Sequence, residues 1–167
     1  MIAPLRLRRA VPVTIRPFQN ADAPALLALF RDTIRRVNSR DYSPEQVTAW
    51  ASDEIDEAAW ASRFLGRFVV VAEADGRIAG FAELEPTGRI DRFFVSADHQ
   101  GLGIGRALLD AIEAEAMRLG LPRLDADVSL TALSFFERRG FQTIASQVVT
   151  LRGVAFRNVR MIRVLIA

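Results

Sequence analysis

Hydrophobic residues recur at helical spacing in the first third of the chain. After Asp22 they return every three or four positions, which predicts an amphipathic helix with one apolar face. The residues of that face are Leu26, Leu27, Phe30, Ile34 and Val37. Ser43-Pro44-Glu45-Gln46 combines a capping serine, a first-turn proline and an early acid, so a second helix is predicted to start there. A short strand over 13–16 precedes these helices, and a third short helix is expected around Trp60 and Phe64.

Strand periodicity replaces helical periodicity from residue 67 onward. Two alternating segments flank the Asp75-Gly76 pair, which is a strong hairpin signal, and a third follows at once, so an antiparallel meander is predicted. The predicted segments are strands over 67–74, 77–85 and 89–95, a helix over 104–119, a strand over 124–128, a helix over 131–139, and strands over 141–151 and 161–166. This order predicts an α/β fold in a single domain, 1–167, with 1–10 as a flexible extension.

Charge and composition exclude several classes of function. The chain has 22 basic and 20 acidic residues, a net charge of +2, and every base is an arginine, so the pI of 10.2 does not indicate a nucleic-acid binder. It has no cysteine and a single histidine, His99, which argues against a disulfide, a thiolate or histidine metal site and a Ser-His triad. Residues 1–10 lack the apolar core of a signal peptide, and no segment is long enough for a membrane span, so a cytoplasmic protein is expected.

A glycine-rich loop separates the strand over 89–95 from the helix that follows. Its three glycines, Gly101, Gly103 and Gly105, alternate with other residues, and a glycine-rich loop entering a helix presents free backbone amides to an anion. The loop therefore predicts a phosphate or pyrophosphate site. It is neither a P-loop nor a dinucleotide fingerprint, because Arg106 and Leu108 stand where those motifs need lysine, glycine or alanine.

Two motifs resemble those of the GCN5-related N-acetyltransferase (GNAT) superfamily. Gln100-Gly-Leu-Gly-Ile-Gly105 is similar to its Q/R-x-x-G-x-G/A signature, and Ala132-Leu-Ser-Phe-Phe-Glu-Arg-Arg-Gly-Phe141 is similar to its A-x-x-F-Y-x-x-x-G-F motif. The resemblance covers roughly residues 13–165. It implies a mixed, mostly antiparallel central sheet that is splayed at a cofactor slot and flanked by helices. It also implies transfer of an acetyl group from acetyl-CoA to a primary amine, with no metal.

The resemblance assigns the cofactor to one strand, the glycine loop and the second motif. The pyrophosphate is expected on the loop amides, and the pantetheine arm along the edge of the strand over 89–95. The cofactor-binding residues implied are Phe93, Phe94, Val95, Gln100, Gly101, Leu102, Gly103, Ile104, Gly105, Arg106, Phe135 and Phe136.

The catalytic assignment stays open between several residues. Asp91 and Glu83 are the candidate bases, since an acid beside the slot would neutralise the attacking amine. Strand alternation predicts Glu83 and Glu85 on one face, and Asp91 on the face of Arg89 and Phe93.

The usual tyrosine of the second motif is replaced by Phe136, which has no proton to give to the leaving thiolate. Tyr42 and Ser134 are the candidate substitutes. By analogy with one bacterial subgroup of the superfamily, Tyr42, Gln46 and Trp50 are candidates for the acceptor side.

Two classes of function remain at this stage. The first is an acetyltransferase acting on a small-molecule or protein amine. The second is an acetyl-CoA-binding module with weak or no catalysis, which the missing tyrosine would explain. Neither the identity of the amine nor the choice between monomer and homodimer follows from the sequence.

Overall fold

A computed structural model of the chain describes residues 10–165. The strands are β1 (Val13–Pro17), β2 (Phe68–Ala74), β3 (Arg77–Leu84), β4 (Arg89–Val95), β5 (Arg123–Ser129), β6 (Gln142–Leu151) and β7 (Val154–Val164). The α-helices are α1 (Ala23–Arg36), α2 (Pro44–Trp50), α3 (Glu57–Ser62), α4 (Ile104–Arg118) and α5 (Leu133–Arg138). No helix in this part of the chain is long and apolar enough to cross a bilayer.

The seven strands form one sheet in the order β1-β2-β3-β4-β5-β7-β6. Neighbouring strands are antiparallel except β4 and β5, which run parallel because α4 connects them. Helices cover both faces of the sheet. The predicted mixed, mostly antiparallel sheet flanked by helices is therefore confirmed.

The sheet separates two apolar cores. One face packs against α4 and α5, and its core includes Ile90, Leu108, Leu124 and Phe136. The other face packs against α1 and α3, and its core includes Leu26, Phe30, Ile34, Trp60 and Phe81. The buried face of α1 thus contains Leu26, Leu27, Phe30 and Ile34, as predicted. By contrast, Val37 lies just after the helix, is half-buried and lines the cleft between β4 and β5.

The last strand differs from its prediction. β7 begins at Val154, seven residues before the predicted start at 161, and forms a hairpin with β6. Arg152 and Gly153 make the turn with φ angles of 47° and 76°. Three of the four residues over 157–160 are polar, so no strand signal is visible there in the sequence, whereas in the structure Asp127 of β5 accepts hydrogen bonds from Arg160. The single domain over 1–167 stays a prediction, and nearly all of its proposed extension, residues 1–10, lies outside the described residues.

Candidate active site

The candidate site is a gap between β4 and β5. Among the described residues these strands pair only at Arg89 with Asp125 and at Ile90 with Ala126, and then diverge. A cleft of about 540 Å³ occupies the gap and is lined on both sides by the separated strands. The splay leaves one edge of β4 without a strand partner, so its backbone groups are available to a ligand.

The hydrogen-bond pattern of β4 shows which backbone groups face this gap. The amide of Ser96 donates to the carbonyl of Ala79, on the β3 side. In an antiparallel ladder alternate residues point their backbone groups to opposite sides, so those of Phe93 and Val95 point away from β3. The Val95 carbonyl accepts from Gln100 Nε2 at 2.7 Å, which agrees with that direction. The free edge at Phe93 and Val95 is therefore a place where an extended ligand can add to the sheet.

A β-bulge in β4 rearranges the side chains beside the cleft. Leu84 pairs with Ile90 and Ala82 with Phe93, so two residues of β4 lie opposite Glu83 alone. The extra residue breaks the alternation on which the sequence prediction relied. Asp91 lies on the α1–α3 side as Arg89 does, whereas Phe93 packs on the α4–α5 side, so the predicted shared face of Asp91 and Phe93 is wrong.

The glycine loop adopts the geometry expected of an anion cradle. Gly101 and Gly103 have φ angles of 72° and 81°, a left-handed conformation that favours glycine. Gly103 is the N-cap of α4, and no described side chain caps that end of the helix. The first amides of α4 therefore remain free for an anion, at the positive end of a 15-residue helix.

Three residues of the signature have packing roles as well. Gln100 ties the loop to the end of β4 through bonds to the carbonyls of Val95 and Ser96. A Cβ at Gly105 would lie 3.1 Å from the ring of Phe135, so this glycine lets α4 and α5 approach each other. Leu102 packs against the α4–α5 core.

The phenylalanines of the second motif line the cleft from α5. Phe136 is 3% exposed, and its ring contacts those of Phe93, Phe135 and Phe141 at centroid distances of 5.0–5.4 Å. Phe135 is less buried and faces Gly105. Both rings form an apolar wall that excludes water from one side of the cleft.

Asp91 and Glu83 have different environments. Asp91 lines the cleft and accepts hydrogen bonds from Arg67 at 2.5 Å and Arg63 at 3.0 Å. Burial opposes ionisation of Asp91, but these two arginines outweigh it and lower the pKa of the carboxyl. Glu83 is fully buried, and Arg92 donates to both of its carboxylate oxygens at 2.7 and 2.5 Å.

Arg92 completes a buried ion pair away from the cleft. Its guanidinium lies 4.0 Å from the ring centroid of Trp60 and 4.4 Å from that of Phe64. Burial raises the pKa of Glu83, and the hydrogen bonds from Arg92 act in the opposite direction. Neither Glu83 nor Arg92 is among the residues that line the cleft. The position of this ion pair indicates that it stabilises the fold.

The hydroxyl of Tyr42 is held by two backbone groups. It donates to the carbonyl of Arg157 at 2.7 Å and accepts from the amide of Leu130 at 3.0 Å. Burial raises the pKa of Tyr42, so its proton is held more firmly than usual. Gln46 likewise bonds the carbonyl of Ala155, outside the cleft.

The structure places other candidates at the cleft and adds residues that the sequence analysis missed. Trp50 and Ser134 both line it, as does Arg106 at the start of α4. Asp127 also lines it and was missed, although the alternation of β5 puts Asp125, Asp127 and Ser129 on one face. The missed residues from the end of α1 and after it are Thr33, Asn38 and Arg40.

Two polar atoms in the cleft wall are buried without a partner among the described residues, His99 Nδ1 and Thr131 Oγ1. Unsatisfied buried polar atoms are costly, so such atoms in a cleft wall fit contact with a polar ligand or water. Between residues 10 and 165, no three histidine, aspartate or glutamate side chains are grouped to hold a metal ion.

Known proteins share this architecture. A family model described as "Acetyltransferase (GNAT) domain" matches residues 38–163. The uncharacterized N-acetyltransferase YafP from Escherichia coli (strain K12) is 36% identical over 151 residues, which are 89% of this chain and 94% of that protein.

Solved structures agree with these matches. The structure of a GCN5-related N-acetyltransferase (Aminotransferase, Class-II) from Rhodopseudomonas palustris has a TM-score of 0.88 at 35% identity and covers 91% of this chain and 95% of its own. YncA from Salmonella typhimurium, a putative acetyltransferase solved with its cofactor acetyl-CoA, shares the fold with a TM-score of 0.69 at 22% identity, over 92% of this chain and 94% of its own. Because the family match spans most of the chain and the relatives from E. coli and R. palustris share over a third of the aligned residues, this protein belongs to the GNAT acetyltransferase family.

Proposed function

We propose that this protein transfers the acetyl group of acetyl-CoA to a primary amine by direct attack. The observation that carries the proposal is the splayed β4–β5 gap, which opens onto an uncapped helix end at the glycine loop. A neutral amine forms a bond to the thioester carbonyl carbon, the carbon–sulfur bond breaks, the amine loses a proton, and the sulfur leaves as a thiolate that takes one up.

Each set of cofactor-binding residues is assigned from the backbone or side-chain groups that it presents to the cleft. The amides of the glycine loop, from Leu102 to Arg106, would bind the pyrophosphate oxygens. The outward backbone groups of Phe93 and the amide of Val95 would bind the pantetheine arm, and an amide there would stabilise negative charge that develops on the thioester oxygen. The Val95 carbonyl already accepts hydrogen bonds from Gln100 and Thr33. Phe135 and Phe136 would form the dry wall of the thioester site.

Of the two candidate bases, we favour Asp91. Its carboxylate lines the cleft, and Arg63 and Arg67 both bond the same oxygen, Oδ2, so Oδ1 can receive a proton from the amine through water. Glu83 has both oxygens bound by Arg92 and no exposed surface. Its position favours a structural role.

We propose that no dedicated acid protonates the thiolate. Phe136 has no proton to give, and the hydroxyl proton of Tyr42 is bonded to a backbone carbonyl. Ser134 lines the cleft, but its alcohol is a far weaker acid than a thiol. A thiol of pKa about 8.5 leaves without an acid near neutral pH. Tyr42 would then act as a positioning residue, since it joins Leu130 after β5 to Arg157 in β7.

The proposal is tested by adding acetyl-CoA and amines separately. Acetyl-CoA at millimolar concentration should raise the melting temperature, because a ligand that binds the folded state stabilises it. Addition of a panel of primary amines should then release free CoA thiol at a rate that depends on the amine. A raised melting temperature with no thiol release would favour the binding module, and an unchanged melting temperature would count against both.

Asp91→Asn should lower kcat/KM for the amine by roughly 10²-fold, because general-base catalysis typically contributes that much or more. The loss should persist at every pH from 6 to about 9, while the rate of both proteins rises with pH as the amine loses its proton. Asp125→Asn is the matched control, since Asp125 lies on the same sheet face but does not line the cleft. If the two substitutions lower kcat/KM equally, Asp91 is not the general base.

We also propose a cytoplasmic bacterial enzyme. The relatives reported above come from bacteria, which supports the bacterial origin. The cytoplasmic location rests on the sequence alone, and monomer and homodimer both remain compatible with the proposal.

A further inference from the structure

A second, smaller pocket, the side chamber, adjoins the main cleft. It has a volume of about 150 Å³ and shares Trp50, Asp127 and Ser129 with the cleft. The chamber lies between α2 and the β6–β7 hairpin. No residue of the glycine loop, 100–106, is among the residues that line the chamber, so the chamber lies apart from the predicted pyrophosphate site.

The chamber walls are mainly apolar. Three aromatic rings in mutual contact form one wall: Tyr42 and Trp50 lie 5.4 Å apart between centroids, and Phe156 lies about 6 Å from each. Val149 and Leu151 of β6 complete the walls. An apolar cavity of about this volume accommodates one benzene ring.

The carboxylate in the chamber lining, Asp127, is already neutralised by the protein. Asp127 accepts hydrogen bonds from Arg89 at 2.6 Å, Arg160 at 2.5 Å and Gln147 at 2.7 Å. Two guanidinium groups thus neutralise its carboxylate, and a further cation would gain little there while losing its water. The chamber consequently disfavours a second ammonium group.

One polar atom in the chamber has no partner. Asn158 Oδ1 is buried and accepts no hydrogen bond from the described residues. A neutral N–H or O–H donor on the entering group would satisfy this oxygen, whereas an apolar group would leave it as it is. The chamber can therefore bind a mainly apolar group that carries one uncharged hydrogen-bond donor.

We propose that the preferred acceptor is a monoamine whose carbon skeleton ends in an uncharged apolar or aryl group of about benzene size. The aryl group would occupy the chamber, and the amine would lie in the main cleft beside Asp91. This inference rests on the proposed acetyl transfer and specifies its acceptor. Diamines and polyamines should be poor acceptors, because their second cation would face the chamber.

The wild-type protein tests the proposal without any substitution. With saturating acetyl-CoA, 2-phenylethylamine should have a kcat/KM at least about 10-fold above ethylamine and above 1,4-diaminobutane, since burial of a phenyl group gives a gain of this order. Preference for ethylamine or the diamine, or equal use of all three, would overturn the proposal.

A matched pair of variants then locates the effect. Val149 faces Phe156 across the hairpin, whereas Val148 points to the other face and is 65% exposed. Val149→Phe should fill the chamber and raise the KM for 2-phenylethylamine about 10-fold, with little change for ethylamine. Val148→Phe should change neither, and an equal effect of the two variants would overturn the assignment of the chamber.

The same assays distinguish a failure of the proposed function from a failure of this inference. If the melting temperature rises with acetyl-CoA and ethylamine is acetylated, the function stands even where the aryl preference is absent. If no amine in the series releases thiol, both the function and this inference fail together.

Discussion

Gly103→Val should weaken acetyl-CoA binding by more than about 10²-fold while the protein stays folded. Gly103 has a φ of 81° at the N-cap of α4, a conformation that a β-branched residue rarely adopts. Valine would turn the loop amides away from the pyrophosphate. Each hydrogen bond to a charged group contributes about 1.5–3 kcal/mol, so the loss of two of them gives a change of this size. Isothermal titration calorimetry measures it.

Gly76→Val is the matched control for this prediction. Gly76 has a φ of 70° in the β2–β3 turn, and neither glycine has a described atom within 4 Å of the position a Cβ would take. The two substitutions therefore cost similar backbone strain, but only one lies at the loop. Gly105→Glu is less informative, because its Cβ would also press on Phe135. Near-wild-type affinity in folded Gly103→Val protein would reject the anion cradle.

Arg92→Met should lower the free energy of unfolding by about 3–5 kcal/mol. The substitution leaves the fully buried carboxylate of Glu83 with only a distant partner, Arg67, at 3.6 Å. Removal of one member of a buried ion pair is strongly destabilising because the remaining charge has lost both water and its counterion. Urea denaturation at neutral pH measures the change.

Two further variants separate this effect from simple loss of a charge. Arg36→Met removes a guanidinium that pairs with Asp32 and Asp98 on the surface, and it should change stability far less. The double substitution Glu83→Leu with Arg92→Met removes both charges and should recover part of the loss. A double variant as unstable as the sum of its single variants would mean that the ion pair is not the cause.

Local sequence determined the elements that carry the cofactor loop. The Asp75-Gly76 pair forms the predicted turn because both residues accept positive φ, at 53° and 70°. The glycines at 101 and 103 adopt the left-handed conformation that their lack of a side chain permits. Such signals act between near neighbours, so they can be interpreted without the rest of the chain. The family and the mixed sheet, implied by the two motifs, are confirmed.

The acceptor half of the site was determined only by tertiary structure. The register of β4 against β3 places a bulge opposite Glu83, and this bulge moves Asp91 into contact with Arg67 and leaves Phe93 on the other face. Nothing near Asp91 in the sequence signals that register, because a bulge depends on how two strands pair.

The side chamber is also formed by segments that lie far apart in the sequence. Its walls come from the α2 region, β5 and a hairpin that begins at Gln142, 92 residues after α2 ends at Trp50. Tyr42 joins two of these segments through its bond to the backbone of Arg157. Sequence patterns therefore determined the donor side, where one loop enters one helix. Long-range packing determined which acids face the cleft and where the side chamber lies, because those properties depend on contacts between segments far apart in the chain.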